Sequence, residues 1–194
     1  RKARLYAQVL ACRRNLIRCE YNLRLRRRSL FLTSELIYLQ FDSFVVNKDM
    51  KNPIHSWTQI GNTSKPFAGT FDGQMHSISG VYLKTDSRFA GLFAETTTTA
   101  VIKNVSLLDS YFEAKGGDCG SIVGRGKGGT FDTIYSDATV KCAGSRVGGL
   151  FGQLYSKGVT INNCWFDGSA TITGEGMPNR RAAGIIACAY SGNL

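Results

Sequence analysis

Short apolar segments recur along this chain at a nearly constant interval. One set reads Phe89-Ala90-Gly91-Leu92-Phe93-Ala94, Cys119-Gly120-Ser121-Ile122-Val123-Gly124, Val147-Gly148-Gly149-Leu150-Phe151-Gly152 and Ala182-Ala183-Gly184-Ile185-Ile186-Ala187. The reference glycines Gly91, Gly120, Gly149 and Gly184 lie 29, 29 and 35 residues apart. A second set follows the glycine segments: Ile102-x-x-Val105-x-Leu107, Phe131-x-x-Ile134-x-Ser136 and Ile161-x-x-Cys164-x-Phe166, in steps of 29 and 30. A third is short and rich in β-branched residues, Thr139-Val140 and Ala170-Thr171-Ile172-Thr173. Three short strands in each period, parted by Gly, Asp, Ser and Asn turns, predict the coil of an all-β, right-handed parallel β-helix.

A single coil cannot bury its inward residues, so such a fold is stable only as a stack. Residues 57–194 predict about five coils at a spacing of ~4.8 Å. The reference glycines are expected where the coil turns sharply or a neighbouring backbone comes close. The chain ends at Leu194 in mid-coil, and further repeats are expected downstream in a parent protein.

The first residues have a different rhythm. Leu5, Val9, Cys12, Leu16, Cys19 and Leu23 are spaced by three and four, the seam of an amphipathic helix, with arginines flanking it. Residues 1–43 therefore form a separate basic segment, and residues 44–194 the repeat domain. Three roles stand open for the segment. It could cap the exposed edge of the first coil. It could contact a membrane surface or an acidic partner. It could be an extension foreign to the domain.

Charge and composition sharpen that division. Of the 194 residues, all 22 glycines lie from Gly61 onward. Residues 1–44 carry ten basic and three acidic groups, and the other 150 residues carry fourteen and eleven. Most of the net charge of +10 thus belongs to the N-terminal segment, and no specific nucleic-acid partner is expected of the repeats. No apolar run is long enough to span a membrane, and no signal-peptide core with a small-residue cleavage site is present.

The candidate chemistry is sparse. Asp72 and His76 could do acid–base work, as β-helix polysaccharide lyases and glycosidases use clustered acids. Asp-Gly at 72–73 equally signals a turn whose carboxylate binds backbone amides. Asp137 and Asp167 follow the second strand in successive coils, with Asp109 slipped by one residue. They read as solvated turn residues, or as the flanks of a Ca²⁺ ion, the one cofactor this pattern suggests. Gly124 to Gly129 reads as a plain glycine turn, since no helix follows it as a phosphate loop requires. Cys119, Cys142, Cys164 and Cys188 drift around the coil, which leaves a pair from adjacent coils open. Cys164 replaces Val105 and Ile134 at an inward position. Tyr111, Tyr135, Tyr155, Trp165 and Tyr190 are candidates for an outward aromatic surface suited to carbohydrate or protein contact.

The string from Trp57-Thr-Gln-Ile60-Gly61-Asn62 to Pro66-Phe67-Ala-Gly69-Thr70-Phe71-Asp72-Gly73-Gln-Met-His76-Ser-Ile78-Ser-Gly80 resembles the opening of GLUG-motif proteins. The glycine segments, best in Val147 to Gly152, are similar to the GLUG repeat itself. Gln59 and Met75 depart from the Pro and Gly usual in that family. The resemblance implies a bacterial cell-surface or secreted protein, adhesin-like or associated with IgA-protease-type peptidases. It implies a non-enzymatic stalk or ligand-binding module without catalytic residues, embedded in a larger surface protein and facing a host glycan or protein. The alternatives are a polysaccharide-acting enzyme using Asp72 with Asp137, Asp167 or other acids, and the accessory domain of a secreted peptidase.

Overall fold

The computed structural model describes residues 36–38, 43–155, 158–176 and 179–190. The predicted N-terminal helix lies outside the described residues. The rest is a parallel β-solenoid, as the repeat predicts. Its rungs number four, three rung-to-rung steps, instead of the expected five coils. The first rung is β3 (Thr70–Ser79), β4 (Tyr82–Thr85), β5 (Phe89–Ala90) and β6 (Phe93–Thr96). The second is β7 (Val101–Leu108), β8 (Tyr111–Ala114), β9 (Asp118–Cys119) and β10 (Val123–Gly126). The third is β11 (Gly129–Ser136), β12 (Thr139–Cys142), β13 (Arg146–Gly148) and β14 (Phe151–Tyr155). The fourth is β15 (Val159–Phe166), β16 (Ser169–Ile172), β17 (Arg181–Ala183) and β18 (Ile186–Tyr190).

Each rung therefore has four strands, where the sequence pattern suggested three. The difference lies in the glycine segment, which is two short strands folded around a corner. Gly91-Leu92 separates β5 from β6, and Gly149-Leu150 separates β13 from β14. Like strands stack in register into four parallel sheets. Sheet I holds β3, β7, β11 and β15; sheet II holds β4, β8, β12 and β16. Sheet III holds β5, β9, β13 and β17; sheet IV holds β6, β10, β14 and β18.

The core is a bundle of columns. Phe71, Ile102, Phe131 and Ile161 align on sheet I, and Leu83, Phe112, Val140 and Ala170 on sheet II. Phe93, Val123 and Phe151 face them from sheet IV, with Phe131 and Phe151 4.7 Å apart between centroids. The spacing Ile102-x-x-Val105-x-Leu107 has a backbone cause. All three residues are buried, yet alternation alone would send position 105 outward. Asn104, Thr133 and Asn163 take left-handed φ of 55, 54 and 50°, inserting an unpaired residue that restores the inward face. In the first rung the register shifts between Asp72 and His76, with Gln74 and Met75 at φ 52 and 65°.

An irregular layer covers the first rung. β2 (Phe44–Val45) pairs with β3, and the Trp57 amide donates to the Tyr82 carbonyl. Ile60 bridges to Phe93 and Phe67 to Thr96. Val46, Trp57 and Phe67 are buried against the core, so residues 44–69 cover part of the first rung's edge; the helix expected as a cap lies outside the described residues. Upstream of the boundary placed at residue 44, β1 (Leu36–Tyr38) also pairs with β3, Leu36 opposite Thr70.

Candidate binding surface on sheet I

The outer face of sheet I carries one column of small and then aromatic residues. Ser77, Ser106, Tyr135 and Trp165 stand in register from the first rung to the fourth. Trp165 is 66% exposed, and Tyr135 beside it is half-buried. Adjacent rungs hold the two backbones at the ~4.8 Å spacing of a parallel sheet, fixed by ladder hydrogen bonds.

Polar groups flank the aromatics on both sides. N-terminal to them stands the column Asp72, Lys103, Asp132 and Asn162. Asp132 Oδ1 accepts from Thr133 Oγ1 and from Asn163 Nδ2, both at 3.1 Å. The left-handed residues thus also orient this carboxylate. C-terminal to the aromatics is the corner bearing Asp109, Asp137 and Asp167. Asp137 Oδ1 accepts the Asp109 amide at 2.7 Å, which accounts for the one-residue slip of Asp109. Partial desolvation, then the charges of Asp137 and Asp167, raises the Tyr135 phenol above its ordinary pKa. The two carboxylates therefore sit close enough to sense the ring.

Asp137 is itself raised above the usual carboxylate range, first by burial and then by Asp109 and Asp167, despite the Asp109 amide. A carboxylate raised in the folded state favours folding while protonated and loses that contribution as pH rises through its folded pKa. Asp137→Asn keeps an acceptor for the Asp109 amide and removes the charge. It is expected to stabilise the fold at pH 7 by roughly 0.3–0.8 kcal/mol, the gain vanishing below about pH 3.8, in paired urea melts. Millimolar Ca²⁺ is expected to leave the melting temperature of both proteins unchanged. Among the described residues no three His, Cys, Asp or Glu groups converge to hold a metal.

The other candidates fall in different places. Asp72 Oδ1 accepts from the Gln74 amide at 2.9 Å and Asn104 Nδ2 at 3.0 Å, and Lys103 Nζ lies 3.3 Å from Oδ2. Burial pushes this carboxyl up, but those bonds outweigh it and hold it below its ordinary range. Asp72 is two rungs from Asp137, and its column reaches the third rung at Asp132, five positions before Asp137. The structure does not bring Asp72, Asp137 and Asp167 together. Of the segment Gly124 to Gly129, read from the sequence as a plain turn, residues 124–126 are strand in β10 and Gly129 opens β11, so Lys127 and Gly128 alone make the turn; a strand and not a helix follows.

The reference glycines meet their expectation three times in four. A Cβ would come within 2.7 Å of the Gly120 carbonyl oxygen at Gly91, 2.4 Å of the Leu150 oxygen at Gly120, and 2.0 Å of the Gly184 oxygen at Gly149. At Gly184 nothing described lies within 4 Å, because no described rung stacks beyond it. Tyr111 stacks on Tyr82 across sheet II at 5.7 Å, and Tyr155 is exposed at the end of β14. The side chain of Tyr190 lies outside the described residues.

Sequence reading missed the buried ions. Glu95, on sheet IV, is 0% exposed and is held by Arg125 at 2.5 Å and Lys127 at 3.1 Å. Asp118, on sheet III, is buried and pairs with Arg146 at 2.9 Å. Arg125 and Arg146 stand directly opposite their carboxylates on the next rung, a relation visible only once the register is known.

No family model matches the chain, and no solved structure matches it. The chain is similar to halomucin of Haloquadratum walsbyi, 31% identical over 107 residues. That stretch is 55% of this chain and 1% of halomucin's length. No helix among the described residues is long and apolar enough to cross a membrane.

Proposed function

We propose that this chain is a non-enzymatic repeat module of a GLUG-like, cell-surface or secreted bacterial protein, serving as a stalk whose sheet I binds an extended glycan. The observation that carries this reading is the exposed Trp165 in register with Tyr135 on the outer face of a parallel sheet. Aromatic faces offer sugar rings an apolar platform, and carboxylates and amides beside them accept and donate hydrogen bonds to hydroxyls. Asp132, Asn163, Asp137 and Asp167 supply those groups on either side. The likeness to halomucin, in which the matched stretch is so small a part, supports an extracellular setting within a much longer chain. The enzymatic alternative has less support, because Asp72 is engaged by three neighbours and lies apart from the other acids.

The test is a glycan array followed by titration of the best ligand. Trp165→Ala is expected to weaken binding about tenfold or more, as loss of a central aromatic anchor does. Its melting temperature should stay within about 2 °C, since most of the ring is already in water. Binding unaffected by Trp165→Ala, or turnover of the glycan, would refute the proposal.

A further inference from the structure

The four cysteines of the repeat domain each fall on a different sheet: Cys119 on III, Cys142 on II, Cys164 on I and Cys188 on IV. Two of them nevertheless meet. Ala114 and Cys142 are register partners on sheet II, and Cys119 and Val147 on sheet III. Cys119 and Cys142 thus flank the same corner from successive rungs. Cys119 Sγ lies 3.6 Å from the Lys141 carbonyl oxygen, next to Cys142, and Cys142 Sγ lies 3.4 Å from the Gly117 oxygen, two residues before Cys119. Both residues are fully buried, so the two thiols face the same enclosed corner. Their environments are unequal. The nearby Cys119 thiol, then the amides of Gly144 and Arg146 against burial, lower the Cys142 thiol, while the Cys142 thiol and burial raise Cys119.

We propose that Cys119 and Cys142 form an interior disulfide that locks the second rung to the third when the chain folds in the presence of an oxidised small-molecule disulfide. The exchange balances in two steps. Before the rungs close either thiolate can open the exchange; written from Cys142, its thiolate attacks one sulfur of the reagent, breaking the S–S bond and releasing one reduced thiol. Cys119, losing its proton to solvent, attacks the Cys142 sulfur of the mixed disulfide and releases the second reduced thiol. Two electrons pass to the reagent, and the protein loses two hydrogen atoms. The reaction belongs to folding, before the rungs close over both sulfurs; the finished stack shields the bond from reductants. Such a bond suits the oxidising, extracellular setting proposed above but does not depend on glycan binding.

The experiment refolds the full chain with oxidised and reduced glutathione, blocks remaining thiols, and maps peptides without reduction. A Cys119–Cys142 linked peptide is expected. The oxidised protein should melt roughly 6–12 °C above the reduced one, a difference carried by Cys119–Cys142 in a variant with the other four cysteines replaced by serine. Peptide mapping of the wild type decides the matter even if that variant does not fold. Alkylation of both Cys119 and Cys142 after oxidative refolding, or a linked peptide with no gain in melting temperature, would overturn the proposal.

Discussion

Gly149→Val is expected to destabilise the fold by about 4 kcal/mol or more, read as a loss of urea midpoint at unchanged slope. The cost is steric. The φ of Gly149 is one that any residue adopts, but a Cβ there would sit 2.0 Å from the Gly184 carbonyl oxygen and 2.2 Å from Phe166 Cδ1. The carbonyl cannot retreat cheaply. Gly149 donates its amide to the Ala183 oxygen, and Leu150 and Phe151 both donate to the Ile185 oxygen, so the two rungs are pinned at this corner. Valine then adds two methyls to a space that cannot hold one. Gly184→Ala tests the same repeat position where nothing described lies within 4 Å, and should change stability by less than about 0.5 kcal/mol. Similar, small effects at both sites would show that the glycine column is not a packed corner.

Those glycines also mark how far the sequence could be read. A repeat of fixed period reports the rung because each rung must present the same faces to its neighbours, and this made the parallel solenoid legible. The number of strands per rung was not, because Phe89 to Ala94 reads as one apolar run whether it is straight or bent at Gly91. The rung count came out one too high because residues 57–69 contribute isolated bridges to the first rung without strands of their own. The left-handed column was half legible. Asn at positions 104 and 163 is a residue type that tolerates positive φ, whereas Thr133 and Met75 give no such signal. Met75, 71% exposed, sits at φ 65°, a conformation that glycine takes without strain.

Pairing across rungs was the least legible part. The sequence marks Tyr135 and Trp165 as outward aromatics without placing them side by side, and Cys119 and Cys142 are separated by 23 residues in a repeat of 29. Contacts at a whole period, such as Tyr135 with Trp165, become columns once the register is fixed. Contacts across a corner appear only when the turn between sheets is known. The site on sheet I is therefore a product of register: the aromatics came from the sequence, their flanking acids partly so, and Asp132 not at all.

Arg125→Met is expected to cost about 3 kcal/mol, the second largest effect, because it strips a buried carboxylate of its closest partner. Glu95 is 0% exposed, and Arg125 donates to its Oε2 through both Nε and Nη2. Lys127 remains 3.1 Å from Oε1, so the loss falls at the lower end of the range for an abandoned buried charge. Methionine retains much of the packing that places the guanidinium 4.2 Å from the Phe89 ring centroid, so the measured loss reports charge more than volume. The companion variant Glu95→Gln with Arg125→Met removes both charges and should recover most of the stability. A coupling energy of about 2 kcal/mol in this double-mutant cycle would place the ion pair among the interactions that lock the first rung to the second. If Arg125→Met alone lies within about 0.5 kcal/mol of the wild type, Glu95 has another way to lose or share its charge, and the pair is not what holds those rungs.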